Sequence, residues 1–176
     1  MQPTAERLES IWKRAISYSF FLRREVVETV GEFAEELGAG SGTRWESGEE
    51  TDYLLRALSE GFSLHYDPSL SVHHESPRPS FDRASTRKAY RSGLGNGRVL
   101  RTHRYPPWFV AYRVAHLAVG ACFLLLAGHL AEARFYFAMA GGRASGWLRA
   151  PRTAIAERAR RLAPTDRRSG ESADSD

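Results

Sequence analysis

The sequence contains one cysteine, Cys122, and only two lysines among its 25 basic residues, so that nearly all of its positive charge is arginine. A single cysteine excludes an internal disulfide, a Cys-x-x-Cys redox pair and a cysteine-based zinc site. There is no Walker loop, no Gly-x-Ser-x-Gly and no His-Glu-x-x-His sequence, which leaves no motif for a P-loop nucleotidase, a serine hydrolase or a zincin. The 176 residues, 42% of them hydrophobic, suit one domain with a modest core and exclude a wholly disordered chain.

Charge of opposite sign is concentrated in two separate blocks. Residues 25–52 contain nine acidic residues and one base, whereas residues 77–104 contain eight bases and one acid. A basic block can meet nucleic acid, anionic lipid or a phosphorylated ligand, or it can simply be a solvated face, and charge alone does not choose between these.

Hydrophobic spacing and turn residues predict a mixed α+β chain. Helices are expected over residues 1–16, 23–30 and 48–60, the last two ending at Gly31 and Gly61. Short strands are expected over residues 18–22, 62–66 and 70–74. A basic helix is expected over residues 80–90, followed by a loop or kink at Gly93, Gly95 and Gly97.

The most hydrophobic stretch covers residues 108–128, and as a helix it matches the thickness of a bilayer's hydrocarbon core. Trp108 and Tyr112 suit a membrane interface, and residues 129–148 are amphipathic. The pair of segments predicts a helical hairpin that is either membrane-associated or buried as in a soluble protein. Residues 149–168 contain seven arginines, a composition that suits an anionic leaflet, and the tail after Pro164 is polar.

Three carboxylates, Glu49, Glu50 and Asp52, lie close together at a predicted helix start that follows the glycine-rich segment 38–48. Acidic residues at a helix N-terminus are stabilised by the helix dipole, which alone explains them. The functional alternative is a general base in a cleft, with a pKa raised by neighbouring charge and partial burial. His74, at the end of a predicted strand, is either a metal or phosphate ligand or an ordinary hydrogen-bonding residue.

Four stretches in order resemble the acceptor half of family 2 glycosyltransferases of the GT-A fold. They are SFFLRREVV (19–27), VGEFAEELG (30–38), GEETDYLLR (48–56) and YDPSLSVHH (66–74). The match covers roughly residues 16–76. It implies the inverting transfer of a sugar from a nucleotide-sugar to the hydroxyl of a glycan or lipid-linked acceptor.

The resemblance also implies roles for individual residues. The base that takes the acceptor proton is Glu50 or its neighbour Glu49, and His74 falls where the family often has a histidine near a metal-bound diphosphate. The implied metal is divalent, Mg or Mn. Asp52 and Arg56 are assigned to substrate binding. Trp45 is either a stacking surface for an acceptor sugar or an anchor for its loop.

Two departures from the family pattern stand out. Ala34 replaces a carboxylate of the family's "F-D-E" sequence, and no Asp-x-Asp occurs before residue 50. The chain is therefore expected to be a fragment that lacks the donor-binding half and to be inactive alone. A truncated gene, a mis-called start and one half of a split enzyme, with a separate donor-binding half, are the alternatives.

These inferences combine into a partial GT-A piece of α+β class, with short strands and a mainly helical C-terminal half. The expected parts are an acceptor-side region (1–104), an apolar and amphipathic helical hairpin (105–150) and a basic, then disordered tail (151–176). The expected location is the cytoplasm, at the inner face of the cell membrane. The alternative functions are a non-catalytic membrane-associated or interaction protein with a basic surface and, less in keeping with the acidic block, a nucleic-acid-binding module.

Overall fold

The structure is a computed structural model that describes residues 11–12, 20–65, 67, 69–73 and 80–151. Within these residues it contains five helices of seven residues or more. They are α1 (Arg24–Val30), α2 (Glu49–Ser59), α3 (Arg83–Thr102), α4 (Pro107–Leu126) and α5 (Leu130–Arg149). Of the helix expected over residues 1–16, only Ile11 and Trp12 are described, and both are helical.

The predicted α+β class is wrong, because the described residues form no strand. Residues 20–22, 62–65 and 70–73, which cover most of the three predicted strands, have irregular backbone. Alternating or apolar sequence is not sufficient for a strand, since each strand needs a neighbour to receive its backbone hydrogen bonds. No described segment lies alongside these three in a ladder, so the GT-A interpretation of the fold is corrected to an all-helical architecture.

The first two helices form where the sequence predicted them. α1 ends at Gly31, whose φ of 74° is positive, a backbone conformation that glycine adopts more readily than other residues. α2 begins directly after Gly48, and the backbone N–H of Asp52 donates to the Gly48 carbonyl at 2.8 Å. A small cluster of Val26, Val30, Tyr53 and Ala57 joins the two helices.

α3 contradicts the predicted loop or kink at its glycines. It runs unbroken from Arg83 to Thr102, straight through Gly93, Gly95 and Gly97, and its N-cap is Asp82, whose carboxylate accepts from the backbone N–H of Ser85 at 2.7 Å. Each glycine costs helix propensity. Tertiary packing offsets that cost here, because all three glycines are buried against the backbone of other segments.

Close packing between α3 and α5 is the main feature of the fold. Gly93 and Gly97 of α3 face Gly142 and Gly146 of α5, in a reciprocal Gly-x-x-x-Gly arrangement. A Cβ built on Gly146 would lie 2.9 Å from the carbonyl carbon of Leu94. Residues 90 and 94 of α3 meet residues 142 and 146 of α5, so the two helices run in the same direction.

α4 and α5 form an antiparallel hairpin whose turn contains Gly128, with a φ of 83°. Across the hairpin, Arg143 Nη1 donates to the backbone carbonyl of Arg113 at 3.0 Å. The principal core lies between α2, the start of α4 and the C-terminal half of α3, where Leu55, Val99 and Phe109 are buried together.

Candidate functional site

The glycine-rich segment 38–48 forms a closed loop that leads directly into α2. Gly38, Gly40, Gly42 and Gly48 all have positive φ, and the Gly38 N–H donates to the Trp45 carbonyl at 2.9 Å. Because other residue types rarely adopt this conformation, the glycines are what permit the tight path of the loop. The loop thus fixes the direction in which the chain enters the first turn of α2.

Trp45 lies at the base of this loop and is buried, with 6% of its surface exposed. The guanidinium groups of Arg44 and Arg98 lie 4.8 Å and 5.2 Å from the centre of its ring. An indole in this position contributes cation–π contacts and core packing. This geometry favours the loop-anchor alternative for Trp45 over a stacking surface for a sugar.

Ion pairs join the acidic loop region to basic α3. Arg91 donates to Glu46 at 2.6 Å, and Arg98 donates to Glu36 at 2.7 Å. These pairs are partly exposed and each contributes little to stability. Their consequence is geometric, since they hold the loop along α3, where the backbone of Ser47 lies directly against Gly95. Some acidic residues of the block 25–52 therefore form ion pairs with bases of the block 77–104.

Glu49, the first residue of α2, has its carboxylate directed under the loop. A Cβ on Gly38 would lie 2.6 Å from Glu49 Cδ, so the carboxylate lies directly against the backbone of Gly38, whose φ of 96° favours glycine. Glu49 Oε2 is buried and has no hydrogen-bond partner among the described residues. Burial raises the pKa of Glu49 above its ordinary value of 4.5, and the charge of Glu50 adds to the increase, against backbone N–H groups that lower it.

We expect Glu49→Gln to increase stability at pH 7, because it removes a charge that the folded state disfavours. A carboxyl whose pKa is raised on folding costs stability when ionised, and the cost disappears as the pH falls through the folded pKa toward 4.5. The variant's advantage in urea midpoint should therefore shrink on acidification. A variant less stable than the parent at pH 7 would contradict this environment for Glu49.

Glu50 differs from both neighbouring acids. Its side chain is half-buried, and no hydrogen bond or ion pair joins it to any residue in the described part of the chain. Glu49 is held under the loop and Asp52 is fully engaged, so Glu50 is the carboxylate of this group that remains available to accept a proton from another molecule.

Asp52 forms the centre of a buried polar network. Arg56 Nε donates to Asp52 Oδ2 at 2.9 Å, and His103 Nε2 lies 2.8 Å from Oδ1, where an ionised carboxylate requires the histidine to be the donor. Burial by itself raises the pKa of Asp52. The hydrogen bond and charge of His103, together with Arg56, outweigh burial and hold that pKa below its ordinary value of 3.8.

Arg56 extends the network to α1. Its Nη1 donates to the Val30 carbonyl at 2.8 Å, its Nη2 donates to the Glu32 carbonyl at 2.9 Å, and its guanidinium lies 4.9 Å from the centre of the Tyr53 ring. Asp52 and Arg56, which the resemblance assigned to substrate binding, thus link α1, α2 and the C-terminus of α3. Their hydrogen bonds are made within the protein.

His103 was not among the residues predicted to form the site. The spacing of Asp52 and Arg56, four residues apart on a helix, was a signal for their pairing. No such signal exists for His103, which lies 51 residues further along the chain and meets Asp52 only because α3 packs beside α2.

His74 lies outside the described residues, so its expected place beside Glu50 has no structural counterpart here. Among the described residues, no group of three or more His, Cys, Asp or Glu side chains is arranged to hold a metal ion. The Mg or Mn site that the resemblance implies therefore stays a prediction. Glu49, Glu50 and Asp52 lie in the first turn of α2, Arg56 lies in its last turn, and Trp45 lies in the loop that precedes it.

Comparison with known proteins finds no family model, no curated protein and no solved structure that matches the chain.

Proposed function

We propose that this chain supplies the acceptor side of an inverting glycosyltransferase similar in sequence to family 2, with Glu50 as the general base. The observation that carries the proposal is the half-buried Glu50 carboxylate at the start of α2, which has no partner among the described residues and follows the glycine-rich loop 38–48. The four family-like stretches in the sequence supply the reaction class.

In this mechanism the hydroxyl oxygen of the acceptor attacks the anomeric carbon of the donor sugar as the bond to the nucleoside diphosphate breaks. The hydroxyl proton passes to Glu50, which therefore must be ionised beforehand. The Asp52–Arg56–His103 network holds the first turn of α2 in place, so that the Glu50 carboxylate is presented in a fixed direction.

The test is transfer of radiolabelled sugar by the purified chain from GDP-mannose, UDP-glucose and UDP-galactose to glycan and lipid-extract acceptors, with acceptor binding measured in parallel by saturation-transfer NMR. Transfer is expected only where a donor-binding part is supplied. In that case we expect Glu50→Gln to lower transfer by about 10²- to 10⁴-fold, the usual contribution of a positioned general base. Glu60→Gln is the matched control, because Glu60 is an exposed carboxylate at the other end of the same helix.

Equal transfer by the parent and the Glu50→Gln chain would remove Glu50 from the mechanism. Acceptor binding without transfer would support an acceptor-side role that needs a separate donor-binding part. If the chain shows no acceptor binding and no transfer above the blank, the proposal is overturned. The second candidate, a non-catalytic membrane-associated protein, would then remain, and the exposed apolar face of α4 favours it.

A further inference from the structure

The outward side of α4 is an apolar surface that the described part of the protein does not cover. α4 is long and apolar enough to cross a membrane by length and composition, yet only 17% of its most apolar stretch is buried. The core helix of a soluble protein is mostly buried, so this exposure separates α4 from that class.

Five of the six exposed large hydrophobic side chains of α4 share one side of the helix; Leu125 is the exception. Five large residues fall at intervals of four, seven, four and three positions, a spacing that keeps them on a single stripe along the full length of α4. This α4 stripe consists of Trp108, Tyr112, Val119, Phe123 and Leu126. Phe123 is 68% exposed and Leu126 is 84% exposed. The stripe continues past the turn into Leu130, which is also exposed.

The packing of the hairpin indicates how such a stripe can meet a bilayer. The inner side of α4 packs on α5, and α5 packs along α3, which contains Arg83, Arg87, Lys88 and Arg91 among its exposed residues. If α4 crossed the bilayer, α5 and α3 would have to enter with it, and their charges make that costly. An orientation in the membrane plane places only the α4 stripe among the lipids.

The charges at one end of the hairpin indicate which lipids are preferred. Exposed Arg104 precedes α4 and exposed Arg149 ends α5, so both lie at the end where Trp108 is also found. Basic residues beside an apolar, aromatic surface are complementary to anionic headgroups.

We propose that α4 docks in the plane of an anionic lipid bilayer, with the α4 stripe among the acyl chains and the arginines at the headgroups. The proposal is independent of Glu50 and of the glycosyltransferase assignment, because neither the stripe nor the arginines belong to the α2 site.

The test is flotation of the full chain with vesicles of phosphatidylcholine and phosphatidylglycerol in a 3:1 ratio. We expect the chain to float with these vesicles, and to bind several-fold less to pure phosphatidylcholine or in high salt. Phe123→Glu should lower the bound fraction at least tenfold. Phe21→Glu is the matched control, because Phe21 is 77% exposed and lies outside the hairpin, so the same change there should leave binding intact.

A second readout uses the natural cysteine next to the stripe. Cys122 is the single cysteine and is exposed, so an NBD fluorophore can be attached there without substitution. We expect its emission to shift to shorter wavelength on vesicle addition, with stronger quenching by lipids labelled near the headgroup than by lipids labelled near the bilayer centre. Stronger quenching at the centre would overturn the in-plane orientation.

Other occupants of the stripe give different results. Absence of flotation together with a dimer that Phe123→Glu converts to a monomer would assign the stripe to a second copy of this chain and overturn the proposal. Equal flotation of the parent and the Phe123→Glu chain would also overturn it. Circular dichroism of both glutamate variants checks that each remains helical.

Discussion

Gly142→Ala is expected to lower the free energy of unfolding by about 3 kcal/mol, the upper part of the range for overpacking in a close-packed interior. Gly141→Ala, one residue earlier in the same helix, is expected to raise it by up to about 1 kcal/mol, the difference in helix propensity between the two residues. The opposite signs at adjacent positions come from tertiary packing alone.

The surroundings of the two glycines explain the contrast. A Cβ on Gly142 would lie 2.9 Å from the carbonyl carbon of Tyr90 and 3.2 Å from the Cα of Gly93, and these backbone atoms cannot turn aside as a flexible side chain can. A Cβ on Gly141 has nothing within 4 Å. The methyl group at 142 must therefore separate α3 from α5, whereas the one at 141 only stiffens the unfolded chain.

Urea unfolding followed by circular dichroism at 222 nm measures both changes. Unchanged stability of Gly142→Ala would show that α3 and α5 do not approach as closely as the Gly-x-x-x-Gly arrangement requires. A comparable loss for Gly141→Ala would show that the effect is a general intolerance of α5 to alanine rather than a contact with α3.

Asp52→Ala is expected to cost about 3–5 kcal/mol at pH 7, the range found when one partner of a buried ion pair is removed. Asp52 is 5% exposed and accepts from both Arg56 and His103. Its removal leaves the guanidinium and the imidazole N–H without their shared acceptor and loosens the junction of α2 with α3. Glu60→Ala is the control, since Glu60 is exposed on the same helix and should change stability little.

The pH dependence of stability provides an independent check on Asp52. The pKa of this carboxyl is lower in the folded chain than its ordinary value of 3.8, so the folded state binds the proton less readily than the unfolded state. Its contribution is therefore present in full above about pH 5 and is lost as the pH falls through 3.8 and below. The loss of stability between pH 5 and pH 3 should be smaller in Asp52→Asn than in the parent.

Urea midpoints at several pH values, measured for the parent and for Asp52→Asn, give this comparison. Parallel pH profiles would mean that Asp52 is not the carboxyl responsible. The asparagine variant also keeps the size of the side chain, so it separates the loss of charge from the cavity that alanine creates.

The local part of the candidate site was predictable from the sequence. The glycines of 38–48, the helix start at Glu49 and the Asp52–Arg56 spacing are all signals between neighbours in the chain. The partner of Asp52 was not predictable, because His103 comes from a helix 51 residues away. The burial of Trp45 under Arg98 depends in the same way on where α3 packs.

The sequence by itself determined where α1 and α2 lie, because their ends depend on glycines and on apolar spacing within a few residues. Only the tertiary structure decided that Gly93, Gly95 and Gly97 continue a helix, because the lack of a side chain there allows backbone contact with distant segments. It also decided that the expected strands of 20–22, 62–65 and 70–73 remain irregular, because a strand exists only where a second strand receives its hydrogen bonds.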